Sequence, residues 1–301
     1  MNTSLTKGYL FAMGAVLIWS GFILVSRLGG ISELNHYDVI ALRYATCTFI
    51  LLPVWWFKQR FALFQLKYWL LALVGGIGYA MFTFHGFQLA PASHGALLLP
   101  GSMPLFMFVM AIVLGQAHFT LQKTLGVSVI TLGIAALFLE QWAATQINEL
   151  ILQGDIYFLI GAVFWCVFSV LINHWGITPW QATISLAILT CIMYLPWYIL
   201  FAPKNMSLNV LPDILTQMLY QGLLATIVQL LLLVRAIKII GAANMGALMA
   251  LVPLIAGIAA LFVFDEPVTA SLISGLILVA FGAWLTHSRL IENLFYKSTM
   301  K

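Results

Sequence analysis

Charge is what this sequence has least of: 7% of its 301 residues are Asp, Glu, Lys or Arg, 9 acidic and 13 basic. A soluble domain carries about a quarter. With 63% hydrophobic residues, the chain has too little polar surface to cover itself in water, which excludes a soluble fold. Its net charge of +4 comes from single Lys and Arg residues at the ends of apolar stretches. Without a basic run there is no face for nucleic acid. Cysteine is scarce too, and Cys47, Cys166 and Cys191 each fall inside an apolar stretch. That excludes metal-type spacing and argues against a disulfide framework, leaving them as small core residues. Also missing are H-E-x-x-H, G-x-S-x-G, C-x-x-C and Walker A patterns, and any acid at the centre of an apolar stretch. No catalytic constellation, metal, cofactor or direct use of ATP is indicated.

What the sequence has in abundance is long apolar runs. They predict spans near residues 8–28, 37–57, 67–90, 93–114, 122–140, 155–174, 180–201, 213–234, 242–264 and 269–289. Ten spans of roughly 20 residues use about 200 positions, so the loops are short and the surroundings are membrane lipid. The first run follows Lys7, is too long for a leader peptide and lacks an A-x-A cleavage site. With the N-terminus cytoplasmic, Lys7, Lys58, Arg60, Lys67, Lys123, Arg235, Lys238, Arg289, Lys297 and Lys301 lie inside and only Arg27 and Lys204 outside. Positive charge favours the cytoplasmic side, so both termini are expected there. The acids Glu33, Asp38, Glu140, Glu149, Asp155, Asp213, Asp265 and Glu266 are then expected on the other side.

An internal repeat supports the count. Pro104, Thr120, Gly126 and Gly133 recur as Pro253, Thr269, Gly275 and Gly282, each 149 residues on. Gly8, Trp19 and Phe22 recur as Gly154, Trp165 and Phe168, displaced by 146. Two tandem units of five spans must enter the membrane from opposite sides, the inverted-repeat construction of secondary transporters. The expected fold is therefore all-α and membrane-integral, ten helices in two inverted five-helix repeats. Residues 1–140 form the first, 141–153 an extracytoplasmic linker, 154–290 the second and 291–301 a cytoplasmic tail.

The segments L-I-W-S-G-F, A-L-R-Y, P-A-S-H-G-A-L and V-R-A-I-K-I-I-G-A-A-N, then P-L-I-A-G-I-A-A-L-F-V-F-D-E-P-V-T with a Gly five residues later, resemble the drug/metabolite transporter superfamily. The closest likeness is to its ten-helix EamA-type group, bacterial exporters of amino acids and related metabolites. That resemblance implies a plasma-membrane exporter, in the bacterial inner membrane, with a central cavity lined mostly by helices one, three, four, six, eight and nine. The first repeat departs from the family pattern: Ala117, between Gln116 and His118, stands where an acid is usual.

Inverted-repeat transporters bind substrate near mid-membrane at the repeat interface. Gly75, Tyr79 and Thr83, and likewise Gly222, Thr226 and Gln229, form stripes on single helix faces. A displacement of 150 relates Tyr79 to Gln229. Trp19 and Trp165 sit near span centres, away from the interfaces where tryptophan is enriched. Ser20 and Ser102 stand beside them, although an isolated serine in a span commonly bonds its own helix. Arg43 lies inside helix two, costly unless it snorkels, holds a substrate carboxylate or anchors the fold. Substrate-binding candidates are thus Trp19, Ser20, Arg43, Tyr79, Thr83, Ser102, Trp165, Thr226 and Gln229. Pro100, Pro104 and Pro253 remove backbone hydrogen bonds in mid-span, and the repeated pair Pro104 and Pro253 reads as hinges. Glu266 and Asp265 suit capping of helix ten or a salt bridge, and His85 and His94 read as packing residues. A secondary transporter of a small molecule leads, with a polytopic membrane enzyme or a channel as alternatives.

Overall fold

The computed structural model describes residues 3–115, 120–143 and 147–287. Gln116, Ala117, His118 and the tail 291–301 lie outside the described residues. The described residues form ten apolar helices: α1 (Thr3–Ile31), α2 (His36–Phe57), α3 (Leu66–Leu89), α4 (Ala92–Val113) and α5 (Leu121–Ala143), then α6 (Glu149–His174), α7 (Pro179–Phe201), α8 (Leu208–Ile240), α9 (residues 242–263) and α10 (Ala270–His287). Large apolar side chains such as Phe49, Phe57, Leu200, Phe201 and Phe262 stay exposed. An outer surface of that composition is a lipid-facing one.

The twofold relation of the halves is visible in one seam. Helices α5 and α10 pack so closely that a Cβ on Gly126 would stand 2.8 Å from the Gly282 carbonyl oxygen, and one on Gly133 2.9 Å from that of Gly275. Gly126 and Gly275 are repeat equivalents, as are Gly133 and Gly282. Each glycine therefore meets the equivalent of its neighbour, the pattern an antiparallel twofold demands. Small residues let backbones approach where lipid offers no hydrophobic drive to association.

Two helices are broken, and proline breaks both. α4 stops at Leu98 and restarts at Met103, with Pro100 in the gap and Pro104 in the new first turn. α9 stops at Met249 and restarts at Val252, with Pro253 in the equivalent first turn. At the α4 break a Cβ on Gly101 would meet the Leu97 carbonyl oxygen at 2.1 Å, so only glycine fits. Two further helices carry wider, i+5-bonded turns, over Ala72–Gly78 in α3 and Met218–Val228 in α8. Displacement by 150 carries the first stretch into the second. Both end immediately before Tyr79 and Gln229, and turns of this kind recur at functional sites.

Helix ends correct the sequence reading in one respect. Glu266 does not cap α10, whose first turn is bonded by Thr269 Oγ1 to the Leu272 N–H at 3.1 Å. Its carboxylate instead accepts the N–H groups of Ala92 at 2.6 Å and Ser93 at 2.9 Å, closing the start of α4 in the other repeat. Two of the acids, Asp38 and Asp155, are fully enclosed. Asp38 accepts from the N–H groups of Asn35 (3.0 Å) and Asn205 (3.2 Å) and from the Tyr198 hydroxyl, tying α2 to α7 and the loop after it. Asp155 pairs with His94 at 3.0 Å and accepts from the Gln141 amide. Arg27, assigned to the outside, belongs to α1 and donates to the Phe87 carbonyl at 2.8 Å.

Candidate functional site

Six of the nine sequence-selected residues surround one cavity of 230 Å³: Trp19, Arg43, Tyr79, Trp165, Thr226 and Gln229. Trp165 is the hub. Its ring centroid lies 4.7 Å from Tyr79, 5.1 Å from Phe168 and 6.2 Å from Trp19, the last pair edge to face. The α3 stripe faces α6 throughout. Gly75 admits Phe168, Tyr79 meets Trp165, and Thr83 closes against Gly161 one turn beyond the cavity. Thr83 thus packs outside the lining. Ser20 donates to the Val16 carbonyl at 2.9 Å and Ser102 to the Leu98 carbonyl at 2.5 Å, each on its own helix, and neither lines the cavity.

Arg43 is 5% exposed and ringed by aromatics, with Phe22, Tyr44 and Phe84 centroids 5.4 to 5.8 Å from its Cζ. One Nη donates to Gln221 Oε1 at 3.2 Å, whereas Nε has no partner. Among the described residues no carboxylate pairs with it. Cation–π contacts give about 0.5 to 2 kcal/mol each, while a charge at membrane depth costs about 3 kcal/mol or more. The rings roughly offset insertion without neutralising the guanidinium. The cavity consequently presents a positive, aromatic and largely apolar wall.

Sequence reasoning missed part of the setting of Arg43. Gln221 is fully buried and holds both Arg43 and, through its Nε2, the Ser26 hydroxyl at 3.0 Å. A glutamine inside an apolar run was as legible as Gln229. Phe22 and Phe84 were not, because a phenylalanine in such a run carries no sign of what it faces.

Trp19 also borders a second cavity, of 510 Å³, lined by Pro100, Met103, Pro104, Met107, Lys123 and Pro253 among others. Both helix breaks open into it. It extends toward the membrane face where α5 begins and α10 ends. The two cavities share one indole as their boundary.

Paired five-helix units of opposite entry, interrupted helices and an aromatic-lined pocket at the repeat interface define a membrane transporter fold. The chain belongs to the EamA-like transporter family, which matches residues 6–139 and again residues 152–288. A solved crystal structure, titled only as that of a protein, aligns at a TM-score of 0.62 and 18% identity, covering 93% of this chain and 96% of that one. The likeness there is one of fold. No curated protein matches the sequence.

Proposed function

We propose that this protein exports amino acids or similar small carboxylate-bearing metabolites by alternating access, with the 230 Å³ cavity as the binding site. The single observation that carries the reading is Arg43, buried with a free Nε and, among the described residues, without an acid partner. A carboxylate supplies the missing anion and the missing acceptor together. Tyr79, Trp19 and Trp165 then hold the apolar end of the substrate, and Gln229 hydrogen-bonds its polar groups. Pro104 and Pro253 act as hinges, and the larger cavity is the open path to the cytoplasm. In this reading the membrane is the bacterial inner membrane and both termini are cytoplasmic.

Thermal stabilisation of the purified protein by L-phenylalanine or L-leucine tests the site, since a ligand of the native state raises its melting temperature. Stabilisation in the wild type and its loss in Arg43→Gln is the expected result. Equal stabilisation of both proteins refutes the carboxylate contact. Counterflow in proteoliposomes separates a carrier from a pore, because a pore shows no trans-stimulation.

A further inference from the structure

We infer that His36 and His85 form a proton-binding site whose occupancy is coupled to that of the Arg43 site, making the proton the second ligand of this carrier. The inference rests on the carboxylate reading of Arg43. Its starting point is a stack: the rings of His36, opening α2, and His85, in α3, lie parallel within 6° with centroids 4.2 Å apart. His36 is 6% exposed. Its Nδ1 lies 2.7 Å from Gln88 Oε1, an atom that only accepts, so the proton of the neutral ring sits on Nδ1. The remaining lone pair is on Nε2, which is buried without a partner among the described residues. That nitrogen is the proton acceptor. His85, stacked on it, is only half-buried. Proton uptake turns one imidazole of the pair into imidazolium, and repulsion at this ring spacing opposes a second.

Asp38 lies on the same helix as His36, its carboxylate already bonded to Asn35, Asn205 and Tyr198. Tyr37 and Tyr157 lay rings against His36 and His85 at 3.9 and 4.9 Å, and the Tyr194 hydroxyl donates to the Tyr37 carbonyl. The cations nearby are Arg27, held on the Phe87 and Gln88 carbonyls, and Arg43. His36 and Arg43 are seven residues apart on one face of α2, so the two sites stand roughly 10 Å apart along the helix. At an effective dielectric of about 20, a unit charge at that distance changes the affinity for an anion on the order of tenfold. Substrate carboxylate and proton therefore bind with mutual support, and the affinity for carboxylate falls as pH rises.

L-phenylalanine is a suitable probe because its net charge is constant between pH 4 and 7. Its affinity for purified wild type is expected to fall about tenfold across that range, and less than about twofold in the His36→Gln/His85→Gln double variant. Melting temperature establishes that the variant is folded, and each single variant serves if the double one is not. In parallel, NMR titration of ring-labelled histidine, with signals assigned through the single variants, counts protons taken up by the pair. One proton shared by the two rings supports the site; none between pH 4 and 8 overturns it. A wild-type affinity for L-phenylalanine that ignores pH overturns the coupling. Absence of L-phenylalanine binding at every pH overturns the carboxylate reading and the coupling with it, and the titration still decides the proton site separately.

Discussion

At the scale of single residues, the contrast between Arg43 and the serines carries the most. Arg43 has an aromatic cage, one neutral hydrogen bond and a free Nε. Ser20 and Ser102 spend their hydroxyls on their own helices. Arg43→Gln should therefore weaken L-phenylalanine binding by about ten- to a hundredfold, the range for losing a charge-assisted hydrogen bond, whereas Ser20→Ala should leave the affinity within about twofold. Calorimetric titration of both purified variants measures this. Gln229→Leu and Trp165→Ala should likewise change affinity or selectivity while the protein still inserts. If they lower only the melting temperature and keep wild-type affinity, the cavity is a packing defect and not a site. Gln229 and Trp165 were legible because a polar tip or an indole in mid-span is costly without a reason.

At the scale of elements, sequence signals that looked local act between repeats. Proline marked α4 and α9 as irregular, and both are interrupted there. Glu266, beside Pro267, looked like a cap of the helix that follows it, yet it bonds the first N–H groups of α4. Losing its charge should cost about 1 to 2 kcal/mol, as for a lost helix cap, and lower the melting temperature of Glu266→Gln. Proton dependence of binding should survive in that variant, which separates this clamp from the histidine pair. The glycine seam of α5 and α10 leaves no room for a side chain. Gly133→Val should reduce folded yield and melting temperature together, since its Cβ meets backbone that cannot rotate away. Retention of wild-type stability would show that the helices can slide apart at no cost.

At the scale of the whole molecule, orientation is the outstanding prediction. In a variant lacking the three native cysteines, Ile147→Cys should react with a membrane-impermeant maleimide on intact cells, and Gln59→Cys only after permeabilisation. The reverse pattern would invert the topology drawn from Lys and Arg. Composition by itself fixed membrane residence, because no arrangement of 63% hydrophobic residues is soluble at this length. Spacing of Pro, Thr and Gly disclosed two five-helix units, because turns, breaks and close seams need those residues at set positions wherever the unit recurs. Neither could decide which polar residues meet. Tyr79 and Thr83 share a stripe in sequence, but only the position of α6 puts one at the cavity and the other against Gly161. His36 and His85, 49 residues apart in the chain, become a stacked pair only through the packing of α2 on α3. Asp38 is enclosed only because α7 covers it. Periodicity and composition act along one helix, whereas a binding site is made of contacts between helices, and those are settled by how the whole bundle packs.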